Sequence, residues 1–264
     1  MSATSDARLG ELDRVLDGVQ TTAGLADELF ALTSLVESNP SLRRALTDPT
    51  SSEQARRGLI ETLLGDKVSQ AARTVIAEAS VRRWGGGWTL AGVLEREAVR
   101  ALLGRAQQSG QLDNVEDELF RLGRIVDADH GLRDALSNHR VPLAARQDLL
   151  TGLLAGKVSQ PTSELARRAV AARDRTFDLT LENYLQLAAS IRQRAVAQVR
   201  VARPLTEAQA ERLRAALTRQ LGREVNLQVT VDPEVLGGVR VQVGDEVIEG
   251  TVSSKLEEAR RHLS

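Results

Sequence analysis

Two stretches of the chain carry the same alternation of apolar and polar positions. Leu25, Leu29, Leu32 and Val36 recur at steps of three or four, and Val115, Leu119, Leu122 and Val126 repeat the spacing 90 residues later. This period predicts the buried stripe of an amphipathic helix. Adding 90 to the residue numbers aligns 27–70 with 117–160 without a gap, and 19 of the 44 positions are identical. "DELF" meets "DELF", "LRRAL" meets "LRDAL", and "KVSQ" meets "KVSQ". An offset held over this length marks a duplicated helical unit. The alignment places Phe30 and Phe120 alike, both as core.

Within each copy the stripe is followed by a short helix, which in the first reads "PSLRRAL". Pro40 suits its first position, where the missing N–H would go unbonded anyway. In "SSEQARRGLIETLLGD", Ser51 or Ser52 caps the next helix and Gly65 ends it in a left-handed conformation. Gly85, Gly86 and Gly87 then interrupt helical structure. Trp84 and Trp88 flank them, either packing the bend onto a core or forming a binding patch. Helix resumes near Thr89 and runs to about Gln108, with Leu90, Val93, Leu94, Ala98, Leu102 and Ala106 on one face.

From about Gln198 the period changes to two, the signature of half-buried strands. "QVRV" sets Val199 and Val201 opposite Arg200, and Pro204 stops the run. A helix follows over 206–221, with Thr206 and Gln209 spaced as a capping box and Leu213, Leu217 and Leu221 on one face. Leu227, Val229 and Val231 are expected to point inward from a second strand. Val239, Val241 and Val243 begin a hairpin that turns at Gly244 and Asp245, and "SSKLEEARRHLS" closes the chain as a short helix. The fold class is therefore mainly α: a duplicated N-terminal helical bundle followed by a small C-terminal α/β domain. The expected divisions are 1–86 for the extra repeat, 87–197 for the second repeat and 198–264 for the α/β domain.

Charge narrows the function. The 264 residues carry 35 basic and 36 acidic side chains, and 198–264 balances ten against ten, which gives no electrostatic footprint for nucleic acid. Aromatic residues make up 2% of the chain and offer no stacking platform for bases. The absence of cysteine excludes disulfides, thiolate metal sites and a cysteine nucleophile. His130, His139 and His262 have no neighbouring ligand at zinc spacing. Asp232, Glu234, Asp245, Glu246 and Glu249 read as a solvated turn edge rather than an acid cluster for metal or proton transfer. The opening "MSATSDARLGELDR" lacks the apolar core of a secretory signal, and no run reaches the ~18 apolar residues of a membrane span.

One stretch imitates a phosphate loop. "LLAGKVSQ" places Lys157 after Gly156, but only three residues separate Gly152 from Gly156, and Val158 stands where a Ser or Thr would hold Mg²⁺. In the other copy, "LLGDKVSQ", the equivalent of Gly156 is Asp66, which would repel phosphate. Gly65 and Gly156 therefore read as helix C-terminal punctuation. No catalytic residue, metal ligand or cofactor site emerges.

The segment "VDPEVLGGVRVQVGDEVIEGTVSSKLEEARRHL" resembles the C-terminal signature of the delta subunit of F-type ATP synthases, relatives of the mitochondrial oligomycin-sensitivity-conferring protein. The resemblance lies in Leu236 before Gly237 and Gly238, an alternating strand, the Gly244–Asp245 turn, a second strand closing at Gly250, and a final helix. It extends from about Thr89 to Ser264. The extra N-terminal copy looks like the long actinobacterial form, and a chain that starts at its own Met without a b-type anchor looks like the unfused version. The resemblance implies a stator part without catalytic activity or cofactor. Its helical domain would grip N-terminal helices of the alpha subunits on the catalytic head, and its C-terminal domain would hold the b subunit of the peripheral stalk. The expected location is the cytoplasmic face of the bacterial plasma membrane, with the membrane contacted only through partners. The alternative is a helical-repeat adaptor of another assembly, which would have no need of the C-terminal signature.

Overall fold

The computed structural model describes residues 3–19, 24–85, 87–172, 175–194, 196–221, 225–232, 238–243 and 246–251. Helices α1 (Ala3–Gly18), α2 (Leu25–Ser38), α3 (Pro40–Thr47) and α4 (Glu53–Leu64) lead through a 3₁₀ turn at Gly65–Lys67 to α5 (Gln70–Val81). Then come α6 (Leu90–Gln108), α7 (Leu112–Ala128), α8 (His130–Ser137), α9 (Leu143–Leu154), α10 (Gln160–Ala171) and α11 (Phe177–Arg194). The last part is β1 (Val196–Val201), α12 (Glu207–Leu221), β2 (Asn226–Val231), β3 (Gly238–Val243) and β4 (Glu246–Thr251). Helices precede a small α/β arrangement, as the change of period predicts. The chain divides into two compact units, Met1–Gln186 and Leu187–Ser264.

Local chemistry sets the helix boundaries. Ser52 and Thr89 accept from the backbone N–H groups of Ala55 and Gly92 at 3.1 Å each, and Ser69 accepts from Ala72 at 3.2 Å. These side chains satisfy donors that a helix start leaves open. Gly65 and Gly156 adopt positive φ, 30° and 69°, where a side chain would be strained. The octet is thus a helix end followed by the cap of the next helix, and the phosphate-loop likeness is superficial.

The duplication has a physical core. Glu28 of "DELF" accepts from the Ser69 N–H at 3.0 Å and the Ser69 hydroxyl at 2.5 Å. Ninety residues on, Glu118 accepts from the Ser159 N–H at 3.0 Å, its hydroxyl at 2.6 Å and the Thr162 hydroxyl at 2.6 Å. Burial raises the Glu118 pKa, but these donors outweigh it and hold the carboxyl below the usual value. Buried Arg56 donates to the Ser80 carbonyl at 2.8 Å, and buried Arg146 repeats the bond to Val170 at 2.8 Å and adds Leu136 at 3.2 Å. Each copy therefore locks its second helix to the start of its fifth, and its fourth helix to the end of its fifth.

The two copies differ in their surroundings. Helix α2 lies along α6 in the most extensive helix pairing of the first unit, so it is buried on two sides. Besides the predicted stripe it buries Ala26, Phe30 and Thr33. Helix α7 buries the stripe alone: Leu112, Val115, Leu119, Leu122 and Val126. Phe30 is 3% exposed with the Arg168 guanidinium 4.0 Å from its ring centroid, whereas Phe120 is 58% exposed. The expectation of a core Phe120 is thus corrected. The copies share a sequence pattern but not a neighbour: the helix that covers Phe30 belongs to the other copy.

In the second unit the strands run in the order β2-β1-β3-β4, with β1 parallel to β2 and antiparallel to β3, and β3 antiparallel to β4. Helix α12 makes the β1-to-β2 crossover. Its capping box forms as predicted: the Thr206 N–H donates to Gln209 Oε1 at 2.9 Å, and the Gln209 N–H donates to Thr206 Oγ1 at 3.3 Å. Ala197, Val199, Val201, Leu217, Val225, Val241 and Val243 form the core, with Leu213 and Leu227 packed against it. Val229 and Val231 pair with Val199 and Val201 and share their face of the sheet, but they are 41% and 47% exposed. Their inward placement is corrected: β2 is the edge strand, and alternation sets the face of a residue without setting its cover. The Gly244–Asp245 turn and the expected final helix lie outside the described residues.

Candidate partner interface

An ionic cluster joins α1 to α6. The Asp13 carboxylate, 1% exposed, receives Arg96 at 2.5 Å and Arg100 at 3.1 Å, and Arg100 also reaches Asp17 at 3.1 Å. Glu97, with no exposed surface, contacts Arg96 and lies 3.6 Å from Arg100. Burial pushes the Glu97 carboxyl up to about 7; Arg96 and Arg100 oppose the rise, and Asp13 adds to it. Asp13, Asp17 and Glu97 thus gather around the guanidinium groups of Arg96 and Arg100, and burial favours the protonated form of Glu97. This cluster ties α1 to α6, and its Arg96 also lines the cavity described next.

A cavity of about 280 Å³ lies among α2, α6, α10 and α11, lined in part by Phe30, Glu37, Trp88, Glu95, Arg168 and Tyr184. Burial, reinforced by Glu95, pushes the Tyr184 hydroxyl well above its ordinary value, so it is a neutral phenol at physiological pH. Half-buried Trp88 packs here, and the Trp84 indole N–H donates to the Ala79 carbonyl at 2.7 Å. The Trp84 ring is thereby tied to α5, and Trp88 lines the cavity. Among the described residues no group of three acidic or histidine side chains is placed to hold a metal ion.

Among its exposed side chains the first unit carries several large apolar ones. Phe120 and Ile125 on α7 are 58% and 59% exposed, and Leu143, Leu149 and Leu153 on α9 lie near 40%. In the first copy Leu35 and Leu63 are exposed at 37% and 39%. Helical surfaces of this kind take the apolar face of a partner helix. A sequence signal for the α7 surface existed: at the positions of Ala26, Phe30 and Thr33 the second copy carries Glu116, Phe120 and Gly123, which cannot form a second buried stripe.

Of the signature residues, Gly238 opens β3 at φ 84° opposite Thr251, and Gly250 pairs with Val239 across β3 and β4. They are brought to neighbouring rungs of one hairpin. Leu236, Gly237, Gly244 and Asp245 lie outside the described residues. No described helix is long and apolar enough to cross a membrane.

Comparison with known proteins fits a subunit built for contact. The family model for the ATP synthase delta (OSCP) subunit matches residues 96–263. The chain is 46% identical over 255 residues to the ATP synthase subunit delta of Streptomyces coelicolor, covering 96% of this chain and 93% of that one. It is 44% identical to the subunit of Kineococcus radiotolerans, covering 100% and 98%, and 43% identical to that of Beutenbergia cavernae, covering 100% of both. These matches run through the first helical copy as well as the second. The chain belongs to the ATP synthase delta (OSCP) subunit family and is a stator-type structural subunit of an F-type ATP synthase, peripheral to a membrane-bound complex.

Proposed function

We propose that the first unit binds the N-terminal helices of the alpha subunits on the catalytic head, and the second unit binds the b subunit of the peripheral stalk. The protein so links head to stalk at the cytoplasmic face of the bacterial plasma membrane. The observation that carries this reading is the pairing of two compact units, each exposing apolar side chains: Phe120, Ile125, Leu149 and Leu153 in one, Val229 and Val231 in the other. Two modest contacts on one body resist dissociation through high effective concentration, because either contact can re-form while the other holds. The chain performs no reaction of its own in this role. In the same reading the signature glycines of the last hairpin are structural.

Vesicles carrying the ATP synthase, stripped of this subunit, test the proposal. Adding the purified chain restores proton-driven ATP synthesis if it links head to stalk. Uncoupled ATP hydrolysis by the stripped head, unchanged by addition, is expected alongside. Failure to restore synthesis while the chain rebinds would contradict it.

A further inference from the structure

Carried outward along the sequence, the offset of 90 aligns α1 with α6 and α6 with α11. Leu9, Leu12 and Leu16 meet Val99, Leu102 and Ala106, and Leu94, Ala98 and Ala101 meet Tyr184, Ala188 and Ile191, all of them buried. The match fails at the ionic cluster. Where the first copy buries Asp13 and Glu97, the second buries Leu103 and Leu187. The repeat therefore does not require acids at these positions. Buried ion pairs give a fold little that well-packed apolar side chains would not, so stability alone does not account for the cluster.

The cluster stands at the attachment of a terminal element. Helix α1 packs chiefly on α5 and α6. Its first half is tied to the chain after α5: Ser5 donates to the Gly85 carbonyl at 3.3 Å, Arg8 to the Arg83 carbonyl at 2.5 Å, and Arg82 to Glu11 at 3.3 Å. Its second half is tied through Asp13 and Asp17 to Arg96 and Arg100. Glu97 lies among these groups with no exposed surface, and its Oε2 accepts no hydrogen bond. The charged groups bearing most strongly on it are Arg96, Asp13 and Arg100. Charges on the other helices packed against α6 are engaged elsewhere. Glu78 of α5 meets Arg57 and Arg82, Glu164 of α10 lies 3.9 Å from Arg105, and Glu28 of α2 and Glu118 of α7 bond Ser69 and Ser159. A buried carboxyl is costly to hold ionised and much less so protonated. Lifting α1 removes the Asp13 charge and admits water, so an ionised Glu97 favours the lifted state. We infer that α1 is a proton-sensitive strap: the proton on Glu97 favours its docking on α6, and loss of that proton loosens it while the rest of the unit stays folded.

Hydrogen exchange of the full chain tests this, read by peptide mass spectrometry at pH 6, 7 and 8 and corrected for the chemical exchange rate. The Glu97 carboxyl titrates at about 7 beneath α1 and at an ordinary 4.5 once in water, so opening of α1 should rise about tenfold from pH 6 to 8. Peptides from α8, α9 and α10 should change by less than about twofold over the same range, because local opening leaves them protected. In Glu97→Gln the rise at α1 should vanish. Glu97→Leu, which installs the side chain the second copy carries at this position, should flatten it likewise and serves if the Gln variant fails to fold. A constant opening of α1 in the parent, or a rise that persists in both variants, would overturn the inference. So would an equal rise in α8, α9 and α10, since the whole unit would then be opening rather than the strap.

Discussion

Replacing Glu97 by Gln should remove a pH dependence that the α1–α6 cluster builds into the first unit. Glu97 has no exposed surface, and its carboxyl titrates at about 7 against an ordinary 4.5. A raised acid favours the protonated folded form. Its stabilisation is complete below pH 4.5, where both states hold the proton, and is lost as pH rises to about 7, where the folded state finally releases it. At 1.36 kcal/mol per pKa unit the full loss is about 3 kcal/mol, of which about 2–3 kcal/mol falls between pH 5 and 8. For a chain of this size that lowers the melting midpoint by roughly 5–10 °C across the interval. Asp48, Glu78 and Glu118, whose pKa values are lowered, complete their titration below this window and do not blur it. Tryptophan fluorescence is the suitable probe, since Trp84 and Trp88 are the only tryptophans and both lie in the first unit. Parent and Glu97→Gln proteins are melted at pH 5, 6, 7 and 8, and the difference in slope isolates Glu97 from every other group. A parent midpoint flat to about 1 °C from pH 5 to 8, or a Gln variant with the parent's slope, would refute the reasoning.

The shared clamps and the unequal phenylalanines give three further expectations. Arg146→Ala strands the carbonyls of Leu136 and Val170 and should cost about 2–4 kcal/mol in urea unfolding. Ser159→Ala removes the cap partner of Glu118 and should cost about 1 kcal/mol. The lowered Glu118 carboxyl stabilises the fold above pH 4.5, so the Ser159→Ala deficit should shrink as pH falls below that value. Phe30→Ala should destabilise by about 3–5 kcal/mol while Phe120→Ala stays within about 0.5 kcal/mol, with equal losses contradicting the different surroundings of the two rings.

The helix stripes, the α12 capping box and the change to strand period were legible because each depends on residues within one or two turns of one another, and the repeat because identical residues recur at one fixed offset of 90. Phe120 was misjudged for the opposite reason: its surroundings depend on α6 lying along α2, a tertiary fact that no spacing within α7 contains. Val229 and Val231 failed similarly, since alternation specifies a face but not which strand ends at the sheet edge. The α1–α6 cluster was invisible because Asp13 and Arg96 stand 83 residues apart and look like any solvated charges on a helix. Glu28 and Glu118 were hidden inside the "DELF" identity, where the repeat was plain but its reason, a carboxylate reaching the next cap 41 residues on, was not. Of the six signature residues, Gly238 and Gly250 fall on the β3–β4 ladder, and the other four lie outside the described residues.

The bridging claim is met most directly by a three-component binding measurement. The catalytic head is immobilised, soluble b subunit is passed over it, and retention of b is measured with and without the full chain. The account predicts that b is retained only when the chain is present. Retention of the chain without b, or of b without the chain, would contradict it.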